Sequence, residues 1–155
     1  MRVGLGFDIH RLAAGRKMML GGVEIPGPKG LEGHSDADVL LHALCDALLG
    51  SVGEGDIGAY FPDTDPKWKD TSSRTFVEKA LELTAARGLK VANADFVVVA
   101  EEPKLAPHRA AIRRSLAGVL RVEPERVNVK AKTMEGLGPI GEGKAVACYA
   151  VVLLE

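Results

Sequence analysis

Two apolar runs rich in β-branched residues place the strongest constraint on how this chain can fold. Residues 94–100 have the sequence Ala-Asp-Phe-Val-Val-Val-Ala, and residues 145–154 form a longer apolar run. Strands that are covered on both faces have continuous apolar sequences of this kind, whereas half-exposed strands alternate apolar and polar residues. The two runs therefore predict strands of a sheet that needs a covering layer on each face.

Three helical patterns can supply one of those layers. They cover residues 33–50, residues 71–73 to about 87, and Pro107 to about residue 120. Ser35 or Asp36 is predicted as the N-cap of the first helix, and Gly50 lies just past its end. Further short strands are predicted at residues 3–7, 18–20, 23–25 and 127–132.

These elements predict one α/β domain over residues 1–155, with its helices and strands in layers (α+β). Its centre is a mixed sheet of four to five strands with three helices on one face. Three helices cover only one face of such a sheet, so something else must cover the other. We expect that face to be packed in a homo-oligomer of this same chain.

Composition excludes several classes of partner. Among 155 residues, 20 are basic and 21 are acidic, for a net charge of −1 without any basic run, which disfavours nucleic acid. No apolar stretch is long enough for a membrane helix, and the N-terminus lacks the pattern of a signal peptide. Cys45 and Cys148 lie in apolar surroundings and are predicted to be reduced, so we expect a cytoplasmic protein.

Three residues from two separate segments have the chemistry of a metal site. Asp8 and His10 are two apart in a predicted strand, so their side chains point to the same side. His42 lies on the first helix, four residues from both Asp38 and Asp46, and a histidine held by a carboxylate is typical of metal ligands. Asp8, His10 and His42 together suit a zinc-type metal with an open fourth position. The alternative for the helix is a solvated face with helical ion pairs.

Two further segments are candidates for binding substrate. His34 and Ser35 precede the first helix, where free backbone N–H groups and the helix dipole favour an anion such as phosphate. Residues 53–58 and 61–66 are rich in Gly, Pro and Asp. They predict either a loop that grips a sugar or a phosphate or an ordinary surface connection.

Six blocks of sequence carry a resemblance to a known family. They are residues 7–11 (Phe-Asp-Ile-His-Arg), 33–38, 42–50, 55–58, 61–66 and 128–138. In this order they resemble the 2-C-methyl-D-erythritol 2,4-cyclodiphosphate synthase family across essentially the whole chain. The resemblance implies a homotrimer of the non-mevalonate isoprenoid route with active sites between adjacent subunits. It implies a phosphorus–oxygen lyase that cyclises 4-diphosphocytidyl-2-C-methyl-D-erythritol 2-phosphate and releases CMP.

The resemblance also assigns residues by position. Asp8, His10 and His42 would be Zn2+ ligands, Glu135 would help to hold Mg2+ or Mn2+, and His34 and Thr133 would stabilise the transition state. The implied substrate-binding residues are Asp8, His10, His34, Ser35, Asp56, Ile57, Gly58, Phe61, Pro62, Asp63, Thr64, Asp65, Ala100, Glu101, Glu102, Pro103, Lys104, Leu105, Ala106, Lys132, Thr133, Met134 and Glu135. Metals and backbone amides fit phosphoryl transfer, which needs positioning and charge neutralisation more than a nucleophilic side chain.

One departure from the family lies near the implied threefold axis. The family usually has an aromatic residue at the position of Pro139 and an arginine at that of Glu142. Here Glu142 precedes Lys144, a reversed charge pair that we predict to join neighbouring subunits with its signs exchanged. Binding of an isoprenoid phosphate on the axis is not carried over, since a carboxylate repels it. Two alternative functions are a different metal-dependent phosphoesterase and a non-catalytic cytidine nucleotide sensor with structural zinc.

Overall fold

The computed structural model describes residues 1–155, which form two sheets, three long helices and two single helical turns. The strands are β1 (Arg2–Ala14), β2 (Met18–Leu20), β3 (Val23–Ile25), β4 (Lys29–Leu31), β5 (Val91–Val99), β6 (Val127–Lys132) and β7 (Ala145–Leu154). The helices are α1 (Val39–Val52), α2 (Ile57–Tyr60), α3 (Arg74–Ala86), α4 (Arg109–Leu120) and α5 (Gly138–Gly141). None of these helices has the length and apolar character that crossing a membrane requires.

The main sheet has five strands in the order β4-β1-β7-β5-β6. All neighbouring strands are antiparallel except the parallel pair β5–β6. The prediction of a mixed sheet of four to five strands with three helices is therefore confirmed. Strands β2 and β3 form a separate hairpin, and Gly21 and Gly22 supply its turn with φ of 61° and 79°.

The first helix begins and ends later than the sequence predicts. Its N-cap is Asp38, not Ser35 or Asp36, and its last residue is Val52, so that Gly53 and not Gly50 lies just past its end. Residues 34–37 are held away from helical geometry because the Asp36 N–H donates to the carbonyl of Thr71, a contact between distant segments. Strand β1 is also longer than the predicted residues 3–7, since β7 pairs with it from Arg2 to Arg11.

Helix α1 packs against β1 at close range because two residues of the strand lack side chains. A Cβ atom added to Gly4 would lie 1.8 Å from the carbonyl oxygen of Ala47, and one added to Gly6 would lie 1.9 Å from that of Ala43. These glycines are needed for the close approach of the helix backbone, as glycines within a strand suggest. The contact fixes the height of α1 above the strand.

The face of the sheet opposite α1 is uncovered in a single chain. Its large apolar side chains are exposed: Val3, Leu5, Phe7, Ile9, Tyr149 and Val151. Val3 and Leu5 keep 67% and 66% of their accessible area, so the helices of one chain cover only one face of the sheet, as the sequence predicts. An exposed apolar patch of this kind is typical of a surface that packs against another molecule, and its packing in a homo-oligomer stays a prediction.

We predict that Gly6→Ala destabilises the fold by about 3 kcal/mol or more, because its Cβ would overlap the backbone of α1. Gly118→Ala is the matched control, since a Cβ there meets nothing within 4 Å and lies in the exposed part of α4. The control should stabilise the protein by about 0.5–1 kcal/mol. Urea denaturation measures both, and an unchanged midpoint for Gly6→Ala would contradict the close-approach argument.

Candidate active site

A cluster of three ligand atoms lies where β1 meets α1. The Asp8 Oδ2 atom is 2.9 Å from His10 Nε2 and 3.0 Å from His42 Nδ1. The two histidine nitrogens are 3.0 Å apart. The alternation of β1 places Asp8 and His10 on the side that faces α1, as their spacing predicts, and His42 meets them from the first turn of the helix.

The geometry of this cluster fits a tetrahedral metal ion. The Asp8 carboxylate only accepts hydrogen bonds, and His10 donates from Nδ1 to the carbonyl of Glu32 at 2.9 Å, which leaves Nε2 with a lone pair. Three corners of a zinc tetrahedron are about 3.3 Å apart at usual bond lengths. The cluster is slightly tighter than that, and it can therefore hold a metal ion with small adjustments.

The two titrating groups of β1 shift each other's pKa. Burial raises the pKa of the Asp8 carboxyl, but hydrogen bonds and charge from His10 and His42 outweigh burial and leave that pKa well below its usual range. Burial lowers the pKa of His10, but the Asp8 carboxylate outweighs it and raises that pKa. A carboxylate that stays ionised beside two imidazoles is an environment that attracts a cation.

The prediction that Asp38 and Asp46 flank His42 on one face of α1 is wrong in its details. Asp38 is fully buried and accepts N–H bonds from Gly21 at 2.8 Å and Gly22 at 2.6 Å, so it ties the β2–β3 hairpin to the helix. Asp46 accepts from the N–H of Ile57 at 2.8 Å. Neither carboxylate hydrogen-bonds His42, whose carboxylate partner is Asp8, and the alternative of a solvated face is equally wrong for Asp38.

A cavity of about 490 Å³ adjoins the metal ligands. The predicted substrate residues that line it, together with His10 and His42, are His34, Ser35, Ile57, Gly58, Phe61, Pro62 and Asp63. The ring of His34 is held at this wall by a 3.1 Å contact between its Nε2 atom and the carbonyl of Asp65. The structure thus brings the segments around residues 34 and 57–63 to the metal centre.

Three other residues of these loops do not line the cavity. The Asp56 carboxylate caps α2 by accepting from the N–H of Ala59, and Asp65 accepts from the N–H of Lys67. Thr64 is exposed on the turn between them. In this chain the Asp56 and Asp65 side chains stabilise the loop itself. This agrees with the second of the two alternatives for this segment, an ordinary surface connection.

A second group of predicted residues lies apart from the metal centre. Glu101, Glu102, Pro103 and Lys104 line a separate cavity of about 650 Å³. Glu101 accepts from the N–H of Met134 at 2.6 Å, and Ala100 donates to the carbonyl of Lys132 at 2.9 Å. Leu105 packs in the core, whereas the next residue, Ala106, is exposed.

Glu135 and Thr133 belong to this second group as well. The Thr133 hydroxyl donates to the Glu135 carboxylate at 2.6 Å, and Glu135 is not among the residues that converge on the Asp8 site. Glu142 lies 2.5 Å from Lys144 of the same chain, and the pairing of these residues between subunits stays a prediction.

Sequence reasoning missed several residues around the metal centre. Ser73 Oγ lies 2.8 Å from His42 Nε2 and also bonds Asp36, while Trp68 and Phe76 complete the wall of the 490 Å³ cavity. Ser73 lies 31 residues from His42 along the chain, at the start of α3. A serine before a helix is so common that its position alone does not indicate a contact with a metal ligand.

The fold and the site define a class of protein: a metal-dependent enzyme with a mixed five-stranded sheet and an Asp-His-His centre beside a substrate cavity. The YgbB family model matches residues 1–155. The 2-C-methyl-D-erythritol 2,4-cyclodiphosphate synthase of Gloeobacter violaceus is 61% identical over 155 residues, which are 100% of this chain and 95% of the relative. The chain belongs to this family.

Two further comparisons agree with that assignment. The protein of the same name from Geobacter sulfurreducens is 53% identical over 100% of this chain and 99% of its own length. A solved structure of 2C-methyl-D-erythritol-2,4-cyclodiphosphate synthase in a CDP-bound form superposes with a TM-score of 0.92 at 45% identity. That superposition covers 99% of this chain and 100% of the other.

We predict that Asp38→Asn destabilises the fold by about 1–3 kcal/mol. The side-chain N–H of the asparagine would face the backbone N–H of Gly21 or Gly22, and two donors cannot hydrogen-bond each other. Asp70→Asn is the matched control because Asp70 is exposed and its backbone, with φ of 57°, accepts Asn readily. The control should stay within about 0.5 kcal/mol of the wild type. Equal urea midpoints for the two variants would show that Asp38 does not anchor the hairpin.

Proposed function

We propose that this chain converts 4-diphosphocytidyl-2-C-methyl-D-erythritol 2-phosphate into 2-C-methyl-D-erythritol 2,4-cyclodiphosphate and CMP, a step of the non-mevalonate isoprenoid route. The observation that carries the proposal is the convergence of Asp8, His10 and His42 within about 3 Å at the wall of the 490 Å³ cavity. The names of the relatives at 61% and 53% identity supply the product.

The reaction forms one P–O bond and breaks another. An oxygen of the 2-phosphate attacks the β-phosphorus of the diphosphate, and the bond from that phosphorus to the bridging oxygen breaks, so CMP leaves with the electron pair. Zinc bound at Asp8, His10 and His42 supplies Lewis-acid polarisation of the attacked phosphate. In our proposal His34 and Ser35 contact the diphosphate beside it, and the segments 56–58 and 61–65 hold the methylerythritol end through the residues that line the cavity, while Asp56 and Asp65 keep the loop in shape.

The cytidine end belongs to the second group of residues in our proposal. Residues 100–106 and 132–135 surround the nucleotide, Thr133 stabilises the transition state, and Glu135 helps to hold Mg2+ or Mn2+. The separation of the 650 Å³ cavity from the metal centre within one chain supports a complete site that takes one half from each of two neighbouring copies. A solved relative in a CDP-bound form supports a nucleotide of this class.

The assembly that we propose is a homotrimer. The exposed stripe Val3, Leu5, Phe7, Ile9, Tyr149 and Val151 supports it, because a contiguous apolar patch of this kind marks an interface. Two rings of this stripe, those of Phe7 and Tyr149, lie in contact with their centroids 4.7 Å apart. We place the enzyme in the cytoplasm, which is supported by two free, buried cysteines.

We predict that the wild-type protein with Mg2+ and Zn2+ converts the diphosphocytidyl substrate into equal amounts of CMP and a cyclic diphosphate, measured by phosphorus NMR. Asp8→Ala and His42→Ala each lose the reaction by at least about 10³-fold, since each removes a metal ligand. Treatment with a chelator removes activity and added zinc restores it. Glu24→Gln, an exposed carboxylate on β3 paired with Lys17, is the control and keeps full activity.

The products separate the remaining possibilities. CMP with a linear product, or release of inorganic phosphate, would show a phosphoesterase and overturn the cyclase. Nucleotide binding without turnover would show a sensor with structural zinc.

We predict that Leu5→Lys converts the wild-type trimer into monomers, because three buried ammonium groups at one interface carry a large desolvation cost. Light scattering after size-exclusion chromatography measures the mass. The matched control is Lys17→Leu, an exposed change of the opposite kind, which leaves the trimer intact. A wild-type protein with the mass of one chain would refute the assembly, and the same variant should lose turnover if the site is shared between copies.

A further inference from the structure

A chain of partly buried hydrogen bonds runs outward from His42, one of the three candidate metal ligands. Its Nε2 atom lies 2.8 Å from the hydroxyl of Ser73, a residue with no exposed surface. The Ser73 hydroxyl also bonds the Asp36 carboxylate, which accepts the backbone N–H of Ser73 at 3.1 Å as well. Two bonds therefore fix Ser73 on Asp36, and its oxygen is held against the imidazole.

The direction of each bond follows from the number of protons available. A carboxylate only accepts, so the single hydroxyl proton of Ser73 goes to Asp36. The Ser73 oxygen is then an acceptor toward His42, and Nε2 must carry the proton between them. A neutral imidazole has one N–H, so with a metal ion between His42 and Asp8 the Nδ1 atom, which faces Asp8 at 3.0 Å, offers its lone pair to that ion instead of a proton to the carboxylate.

Ser35 does not disturb this assignment. Its hydroxyl oxygen lies 3.1 Å from His42 Nε2 and 3.4 Å from Ser73 Oγ, and it accepts from the N–H of Ala37 at 3.2 Å. Its proton can go to the Ser73 oxygen without competing for Nε2. A proton on Nδ1 would leave two lone pairs facing each other across the 2.8 Å contact to Ser73.

Ser73 is also free of the role that its position suggests. It precedes α3, but its side chain makes no capping bond to that helix. The neighbouring Ser72 hydroxyl instead accepts from the N–H of Arg74 at 3.4 Å. The buried hydroxyl of Ser73 is therefore used only between Asp36, His42 and Ser35.

We propose that Asp36 and Ser73 are positioning residues that hold His42 in the Nε2–H tautomer and so present Nδ1 to the metal ion. The proposal rests on the proposed function only in requiring a metal at Asp8, His10 and His42. Partners of this kind orient a ligating imidazole and raise its basicity, and their loss typically costs about 10–100-fold in metal affinity.

Zinc affinity tests the proposal without any turnover. The Kd for Zn2+ is measured on the purified full chain by competition with a chromophoric chelator, and the unfolding temperature of the metal-free protein is recorded beside it. Ser73→Ala should weaken zinc binding by about tenfold or more. Ser73→Thr keeps a hydroxyl and should restore most of the affinity, and Ser72→Ala, exposed and without contact to His42, should equal the wild type.

Asp36→Asn gives a second and sharper variant if Ser73→Ala does not fold. Its amide can donate to the Ser73 oxygen, which releases the Ser73 proton toward Nε2 and favours a proton on Nδ1. Zinc affinity should again fall about tenfold or more. Nitrogen-15 NMR of the zinc-bound wild type should show His42 with a protonated Nε2 and a metal-bound Nδ1.

The outcomes are distinct. A proton on Nδ1 in the zinc-bound wild type would overturn the proposal, and so would equal zinc affinity in Ser73→Ala, Asp36→Asn and the wild type. A lower unfolding temperature with unchanged zinc affinity would show a merely structural role and overturn it too. Failure of the wild type to bind zinc would overturn the metal centre with it, whereas zinc binding without cyclisation would refute only the proposed reaction.

Discussion

The contact between α1 and β1 is the constraint on which both the fold and the site depend. Four alternate residues of β1 face the helix: Gly4, Gly6, Asp8 and His10. The two glycines let the backbone of α1 approach the strand, with Ala47 above Gly4 and Ala43 above Gly6. The next position on the same face is Asp8, which meets His42, one residue before Ala43. Along this one face, β1 therefore changes from residues that pack against α1 to residues that can bind a metal ion. The spacing between strand and helix that the two glycines allow is also the spacing that brings the metal ligands together.

Electrostatics gives this junction its function. The Asp8 carboxylate and the lone pair of His10 Nε2 point at each other across 2.9 Å, with His42 at the third corner. Without a cation or a proton between them, these acceptors repel one another. In the metal-free chain the low pKa of Asp8 and the raised pKa of His10 both favour a proton on His10 beside an ionised Asp8. The outer bonds from Glu32 and Ser73 hold the rings in place while their inner atoms stay available. Binding of a metal thus satisfies groups that the fold has already brought together.

Local patterns predicted what depends on local geometry. The alternation of a strand places Asp8 and His10 on one side, and the apolar runs identify β5 and β7, so the sheet and two of the three metal ligands follow from spacing. The start of α1 does not follow from spacing, because Asp36 hydrogen-bonds Thr71 and Ser73 instead of beginning the helix. The carboxylate partner of His42 was assigned to its own helix for the same reason. Helical spacing identifies neighbours on one element, whereas Asp8 reaches His42 from 34 residues away. The names of the substrate and the family required whole-length resemblance, since no short motif specifies them.

The uncovered sheet face and the divided site that we propose follow from one property of this small domain. Its three long helices bury one face of a five-stranded sheet, and most of the apolar area of β1 and β7 on the other face has no partner within the chain. Of the residues that we propose for the nucleotide, 101–104 line the 650 Å³ cavity, which shares no lining residue with the cavity beside the metal ligands. Copies that bury the apolar stripe against one another also bring different parts of neighbouring chains together. In the assembly that we propose, burial of the hydrophobic face would complete the site in the same step: a lone chain would hold the metal ligands, yet it would lack the wall that we assign to the leaving nucleotide.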